Sequence, residues 1–159
     1  MENMAQDYGD QGQGNGPEEL FAQQKVCAGG HSKEEKCTNP PLELTILDPE
    51  KLETRLLTLF SGGFHDTIRC SLYPVSLRAN PSYIALSYCW GESDIRSEIE
   101  INGQKTCVRE SLKIALKYLR RSQDDVVVWA DAVSINQEDV HEKEYQIRMM
   151  GSIYANGRP

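Results

Sequence analysis

The sequence has no stretch able to cross a bilayer. Its longest apolar run covers residues 126–130, against the roughly 20 residues that a transmembrane helix needs. The first twenty residues hold Glu2, Asp7, Asp10, Glu18 and Glu19 without an apolar segment, so no secretory signal is expected. Basic excess is missing too. Residues 1–40 carry three Lys and Arg against seven Asp and Glu, the remainder fourteen against seventeen, for a net charge of −7. Nucleic-acid binding needs clustered cations to displace counterions from phosphates, so neither a nucleic acid nor an anionic membrane is an expected partner. The five cysteines form an odd set with no C-x-x-C pair. Reduced, mostly buried thiols are therefore expected rather than a disulfide framework. Cys27, His31 and Cys37 are too few and too widely spaced for a structural zinc site, and no metal is expected. No Gly-rich phosphate loop is present, and no nucleophile has a neighbouring His within a motif.

What remains is a composition suited to one domain with a tail. Residues 1–40 are rich in Gln, Gly, Asn and Glu, too polar to offset the entropy of ordering, and are expected to be a disordered tail. From Leu42 onward, short hydrophobic stretches alternate with turn signals. Residues 55–60, 68–77 and 83–90 read as strands, separated by Ser61-Gly62-Gly63 and Asn80-Pro81-Ser82. Residues 98–101 and 105–108 flank Asn102-Gly103, the preferred pair for a tight hairpin because both tolerate positive φ.

Ser111 is positioned to cap a helix whose apolar stripe is Leu112, Ala115, Leu116 and Leu119. Val126, Val127, Val128 and Trp129 read as a strand covered on both faces in a parallel sheet. A last helix is expected over residues 140–154, with Gln146, Met149, Met150 and Ile153 on one side. The helix–strand–helix order implies an α/β core preceded by β-rich elements.

Three blocks carry a more specific signal. They are Tyr83-Ile84-Ala85-Leu86-Ser87-Tyr88-Cys89-Trp90-Gly91, then residues 112–120, then Trp129-Ala130-Asp131-Ala132-Val133-Ser134-Ile135-Asn136-Gln137 running into Glu142 and Gln146. Their order and spacing resemble the fungal heterokaryon-incompatibility (HET) domain. That family reads approximately Y-x-A-L-S-Y-x-W-G, a capped L-x-x-A-L-x-x-L-R helix, W-I-D-A-x-C-I-N-Q, and E-R-x-x-Q-V-x-x-M-x-x-I-Y. Ala130 replaces the usual Ile, Ser134 the usual Cys, Ser111 a capping Asn, and Lys143 the Arg after Glu142.

The resemblance implies a HET domain over residues 42–159, with a TIR-like or flavodoxin-like, partly parallel α/β sheet. The family pattern continues into a further apolar strand beyond Arg158-Pro159, so the domain is expected to be truncated, with an open edge that invites self-association. The implied role is cytoplasmic signalling in fungal non-self recognition and programmed cell death, through protein partners. Distant likeness to TIR domains, some of which cleave NAD with one glutamate, implies Glu142 as the catalytic residue. NAD is then a substrate, and no cofactor is required. Breaking the nicotinamide–ribose bond develops positive charge on the ribose, which an adjacent carboxylate stabilises. Trp90, Gly91, Asp131, Asn136, Gln137 and Gln146 are the corresponding pocket candidates. For Trp90, core packing at a tight turn is the preferred reading over stacking on a nucleotide ring. Asp131 and Asn136 are equally readable as turn-forming residues that bind local backbone N–H groups. A non-catalytic interaction module and an inactive truncated fragment stand as alternatives.

Overall fold

The computed structural model describes residue 39, residues 41–87 and residues 95–158. The expected N-terminal tail, apart from Asn39, falls outside the described residues, as do Tyr88, Trp90 and Gly91. Six strands form one mixed sheet in the order β3-β6-β1-β2-β4-β5. They are β1 (Glu53–Leu59), β2 (Arg69–Ser76), β3 (Ile84–Ala85), β4 (Arg96–Ile101), β5 (Gln104–Arg109) and β6 (Val126–Trp129). Three α-helices accompany them among the described residues: α1 (Glu110–Leu119), α2 (Asp131–Ser134) and α3 (Val140–Asn156). The α/β, partly parallel sheet expected from the sequence is present. Its parallel component is confined to β2 with β4 and β3 with β6, while β6 meets β1 antiparallel.

Alternation along the central strands divides the core between the two faces of the sheet. Leu57 and Leu59 of β1, with Val126 and Val128 of β6, pack with Leu112 and Leu116 of α1. Leu56 and Trp129 point the other way and pack with Met149 and Ile153 of α3. The heptad-like stripe of α1 and the apolar side of α3 thus each cover one face.

The hairpin between β4 and β5 turns at Asn102 (φ 53°) and Gly103 (φ 78°), as the Asn-Gly pair dictates. The Asn102 side chain does more than turn the chain: its Oδ1 accepts from the Leu72 amide at 2.9 Å and its Nδ2 donates to the Leu72 carbonyl at 3.2 Å. It thereby completes the β2–β4 pairing where the strand ends.

Two expectations are corrected. Ser111 does not occupy the cap position of α1. Arg109 does, without a side-chain cap bond, because the helix starts directly from β5 and the Glu110 amide is held by the Ile95 carbonyl at 3.0 Å. The expectation of uniformly reduced thiols fails at half-buried Cys107, which is disulfide-bonded. Cys70 is a free thiol in the core, and burial pushes its pKa up to about 12.

At the far end, α3 stops at Gly157, whose tight approach to β3 leaves no room for a side chain. A Cβ there would lie 2.7 Å from that of Ala85. Arg158 then donates its amide to the Tyr83 carbonyl at 2.7 Å and bridges in parallel to Ile84. No helix among the described residues is long and apolar enough to cross a membrane.

Candidate functional site

Because β1 runs antiparallel to β6, the start of β1 lies at the carboxyl end of β6, where Asp131 follows. In open α/β sheets that end is where ligands bind. Directly before the buried Leu56 and Leu57 of β1 stands Arg55, only 2% exposed. A buried guanidinium is tolerated only when its donors are satisfied and its charge is matched, and all five N–H groups have acceptors. Nε and Nη2 donate to the Thr45 carbonyl, Nη1 to the Ser134 carbonyl at 3.1 Å, and Nη1 and Nη2 grip the two carboxylate oxygens of Glu142 at 2.6 and 2.9 Å.

Glu142 also accepts the Asn136 amide at 2.7 Å, and its side chain is 11% exposed. Asp139 places it there: as the cap of α3 it accepts from the His141 and Glu142 amides at 2.9 and 3.1 Å. One ion pair therefore fastens together the segment before β1, β1 itself, the end of α2 and the first turn of α3. Its chemical consequence is equally plain. A carboxylate in a two-point bond with a guanidinium carries little net field toward a developing cation.

Beneath this pair runs a second buried chain. Trp129 Nε1 donates to Thr54 Oγ1 at 3.0 Å, Thr54 Oγ1 donates to Gln146 Oε1 at 2.8 Å, and Gln146 Nε2 donates to the Glu53 carbonyl at 2.8 Å. Gln146, expected to line a pocket, is instead fully buried. An amide on the apolar side of α3 needs interior partners, and these bonds supply them. Trp129 is core, as its apolar setting suggested.

Asp131, Asn136 and Gln137 make local bonds within the loop after β6. Asp131 Oδ1 accepts from the Ala132 amide at 2.8 Å, and its carbonyl accepts from Gln137 Nε2 at 3.1 Å. Asn136 Oδ1 accepts from the Glu138 amide at 3.1 Å. Trp90 and Gly91 lie outside the described residues.

Sequence reasoning passed over Tyr154. Its ring stands edge-on to Trp129, 5.5 Å between centroids. Burial raises its phenol pKa, the nearby Asp131 carboxylate raises it further, and a hydrogen bond with Ser87 opposes them. Ser87 and Asp131 each follow the end of one of the parallel strands β3 and β6, so both stand at the carboxyl end of the sheet. Arg55 and Thr54 were missed as well. No local signal marked them: β1 mixes Glu53, Thr54, Arg55 and Thr58 with its three leucines, and only the structure shows which polar side chains are buried.

The family model described as heterokaryon incompatibility protein (HET) matches residues 83–158. Heterokaryon incompatibility protein 6, OR allele, of Neurospora crassa is 35% identical over 127 residues, which cover 71% of this chain. The chain spans 18% of the length of that relative. No solved structure matches it.

Proposed function

The chain belongs to the heterokaryon incompatibility (HET) family, and we propose that its folded part acts in fungal non-self recognition, signalling in the cytoplasm toward programmed cell death through protein contacts. The observation that carries this reading is the convergence of the family blocks on one buried knot. The Trp129 block, the Gln137 loop and the Glu142 helix are tied to β1 through Arg55 and Thr54. Such a knot spends the polar groups of the blocks on holding a surface in one shape, which is what a contact module needs.

A second reading, cleavage of NAD, is favoured by the position of Asp131 just beyond the end of β6, with Ser87 beyond the end of the neighbouring parallel strand β3. In it Asp131 is the carboxylate facing the ribose as neutral nicotinamide leaves, and Glu142, its charge matched by Arg55, is a positioning residue.

The separating experiment incubates purified protein with NAD and measures free nicotinamide, with circular dichroism to confirm folding of every variant. The contact reading expects no release from the wild type, together with cell death when the protein is expressed in a fungal host. Release that survives in Glu142→Gln and disappears in Asp131→Asn establishes the second reading instead. Release lost in a folded Glu142→Gln returns the chemistry to Glu142 and overturns the positioning role.

A further inference from the structure

Residues 41–47 form a strap without regular structure that runs from the sheet edge to the buried ion pair. At its start the Pro41 carbonyl accepts from Gln104 Nε2 of β5 at 3.2 Å. Leu42 and Leu44 then pack against the core cluster on the α1 side, with Glu43 between them turned out, and Leu47 is buried. The Thr45 carbonyl takes two donors of Arg55, Nε at 3.2 Å and Nη2. The strap thus completes the hydrogen-bond shell of the guanidinium that grips Glu142. Ordering an irregular stretch costs about as much as burying its few leucines returns, so a tie at its upstream end decides whether it stays down.

That tie is found at Asn39 and Cys107. Asn39 Nδ2 donates to Glu98 Oε2 at 3.2 Å and reaches Cys107 Sγ at 3.5 Å, and Glu98 is the cross-strand partner of Cys107. Cys107 is disulfide-bonded. Cys70, 2% exposed, is a free thiol, which leaves Cys27, Cys37 and Cys89 as partners. Cys89 comes two residues after Ser87, which follows β3, and β3 is at the opposite edge of the sheet from β5, about 24 Å away along it. Cys37 comes two residues before Asn39, a reach of about 7 Å, and closes a shorter loop than Cys27 would.

We propose that Cys37 and Cys107 form a redox clasp, which fastens the strap to β5 and, through Thr45, steadies the Arg55–Glu142 pair. Closing the clasp moves two electrons and two protons from the two protein thiols to a low-molecular-weight disulfide, which leaves as two thiols. Opening reverses the exchange. In a reducing compartment such a bond forms and breaks as a signal rather than as a permanent brace. The inference stands whichever reading of the function holds.

The whole 159-residue chain, equilibrated in glutathione buffers from oxidising to reducing, alkylated and mapped by mass spectrometry, tests it. Oxidised protein is expected to yield a peptide pair joining Cys37 to Cys107. Reduced protein should carry alkyl groups on both, with Cys70 unmodified in the folded chain throughout. A glutamate-specific protease reads the strap at the exposed Glu43. Cleavage there should be about tenfold faster in the reduced protein, since cutting follows the population of the open strap. The Arg55 Nε–H resonance should shift with the same redox midpoint, which a disulfide of only local effect would not produce. Cys37→Ser should fix fast cleavage in every buffer, while Cys27→Ser keeps the response, with circular dichroism confirming that both variants fold.

Alkylation of Cys107 under oxidising conditions overturns the proposal, and so does a bond from Cys107 to Cys27 or Cys89. Equal cleavage at Glu43 in the two states, or an Arg55 resonance indifferent to them, overturns it as well, because the bond would then hold nothing.

Discussion

In the middle of the sheet, one arginine and one glutamate are taken almost out of water and bonded at every donor. At its β4–β5 edge, Lys105 and Glu98 meet at 2.8 Å with both side chains largely in solvent. The two ion pairs have similar lengths and opposite physical meaning. The exposed pair holds the Glu98 carboxyl below its ordinary value and the Lys105 amine above its own, yet water and salt screen what that does for the fold. The buried pair has lost its hydration and has only its partners to replace it. An apolar pair of the same volume could be as stable there. What Arg55 and Glu142 add is position, since four chain segments come into register around them.

The sharpest way to break the comparison is to remove one member of the buried pair. Glu142→Gln leaves the Arg55 charge buried against neutral acceptors and should lower the unfolding free energy by about 3–5 kcal/mol, measured by urea denaturation. Arg55→Met should cost a similar amount. The double variant Arg55→Met, Glu142→Leu should lose clearly less than the two single losses together, because no orphaned charge remains. Full additivity would show that the two residues act independently and that no knot exists.

A smaller effect is expected one layer down. Thr54→Val keeps the shape of the side chain but removes the hydroxyl that accepts from Trp129 and donates to Gln146. Leaving two buried polar groups short of a partner should cost about 1–3 kcal/mol. The indole N–H resonance of Trp129 should shift in the folded variant. An unchanged resonance would place the indole outside this chain of bonds.

The difference between centre and edge also governs what could be read from the sequence. Asn102-Gly103 announces its hairpin because the requirement is local, two adjacent residues with positive φ. The stripes of α1 and α3 are legible because burial repeats with the helical period. Glu142 could be singled out, but its partner lies 87 residues away, and no local pattern links a strand arginine to a helix glutamate. Its part in the knot was therefore invisible, and a separation of 92 residues hid the Thr54 link to Gln146. Ser111 misled for the converse reason: it has the right chemistry for a cap, but the strand feeding α1 sets the cap two residues earlier, at Arg109, with the Glu110 amide held by the backbone of Ile95.

The smallest expected effect sharpens the edge half of the comparison by separating backbone from charge within one hairpin. A Cβ on Gly103 would touch nothing within 4 Å, but the residue sits at φ +78°. Gly103→Ala therefore costs only the strain of holding an L-residue in the left-handed region, about 1 kcal/mol. Lys105→Ala, two residues on, removes the ion pair with Glu98 and should leave the urea midpoint unchanged at moderate salt. If Lys105→Ala instead shifts the midpoint as much as Gly103→Ala, the exposed pair contributes beyond its screened charge, and the contrast between centre and edge narrows to one of degree.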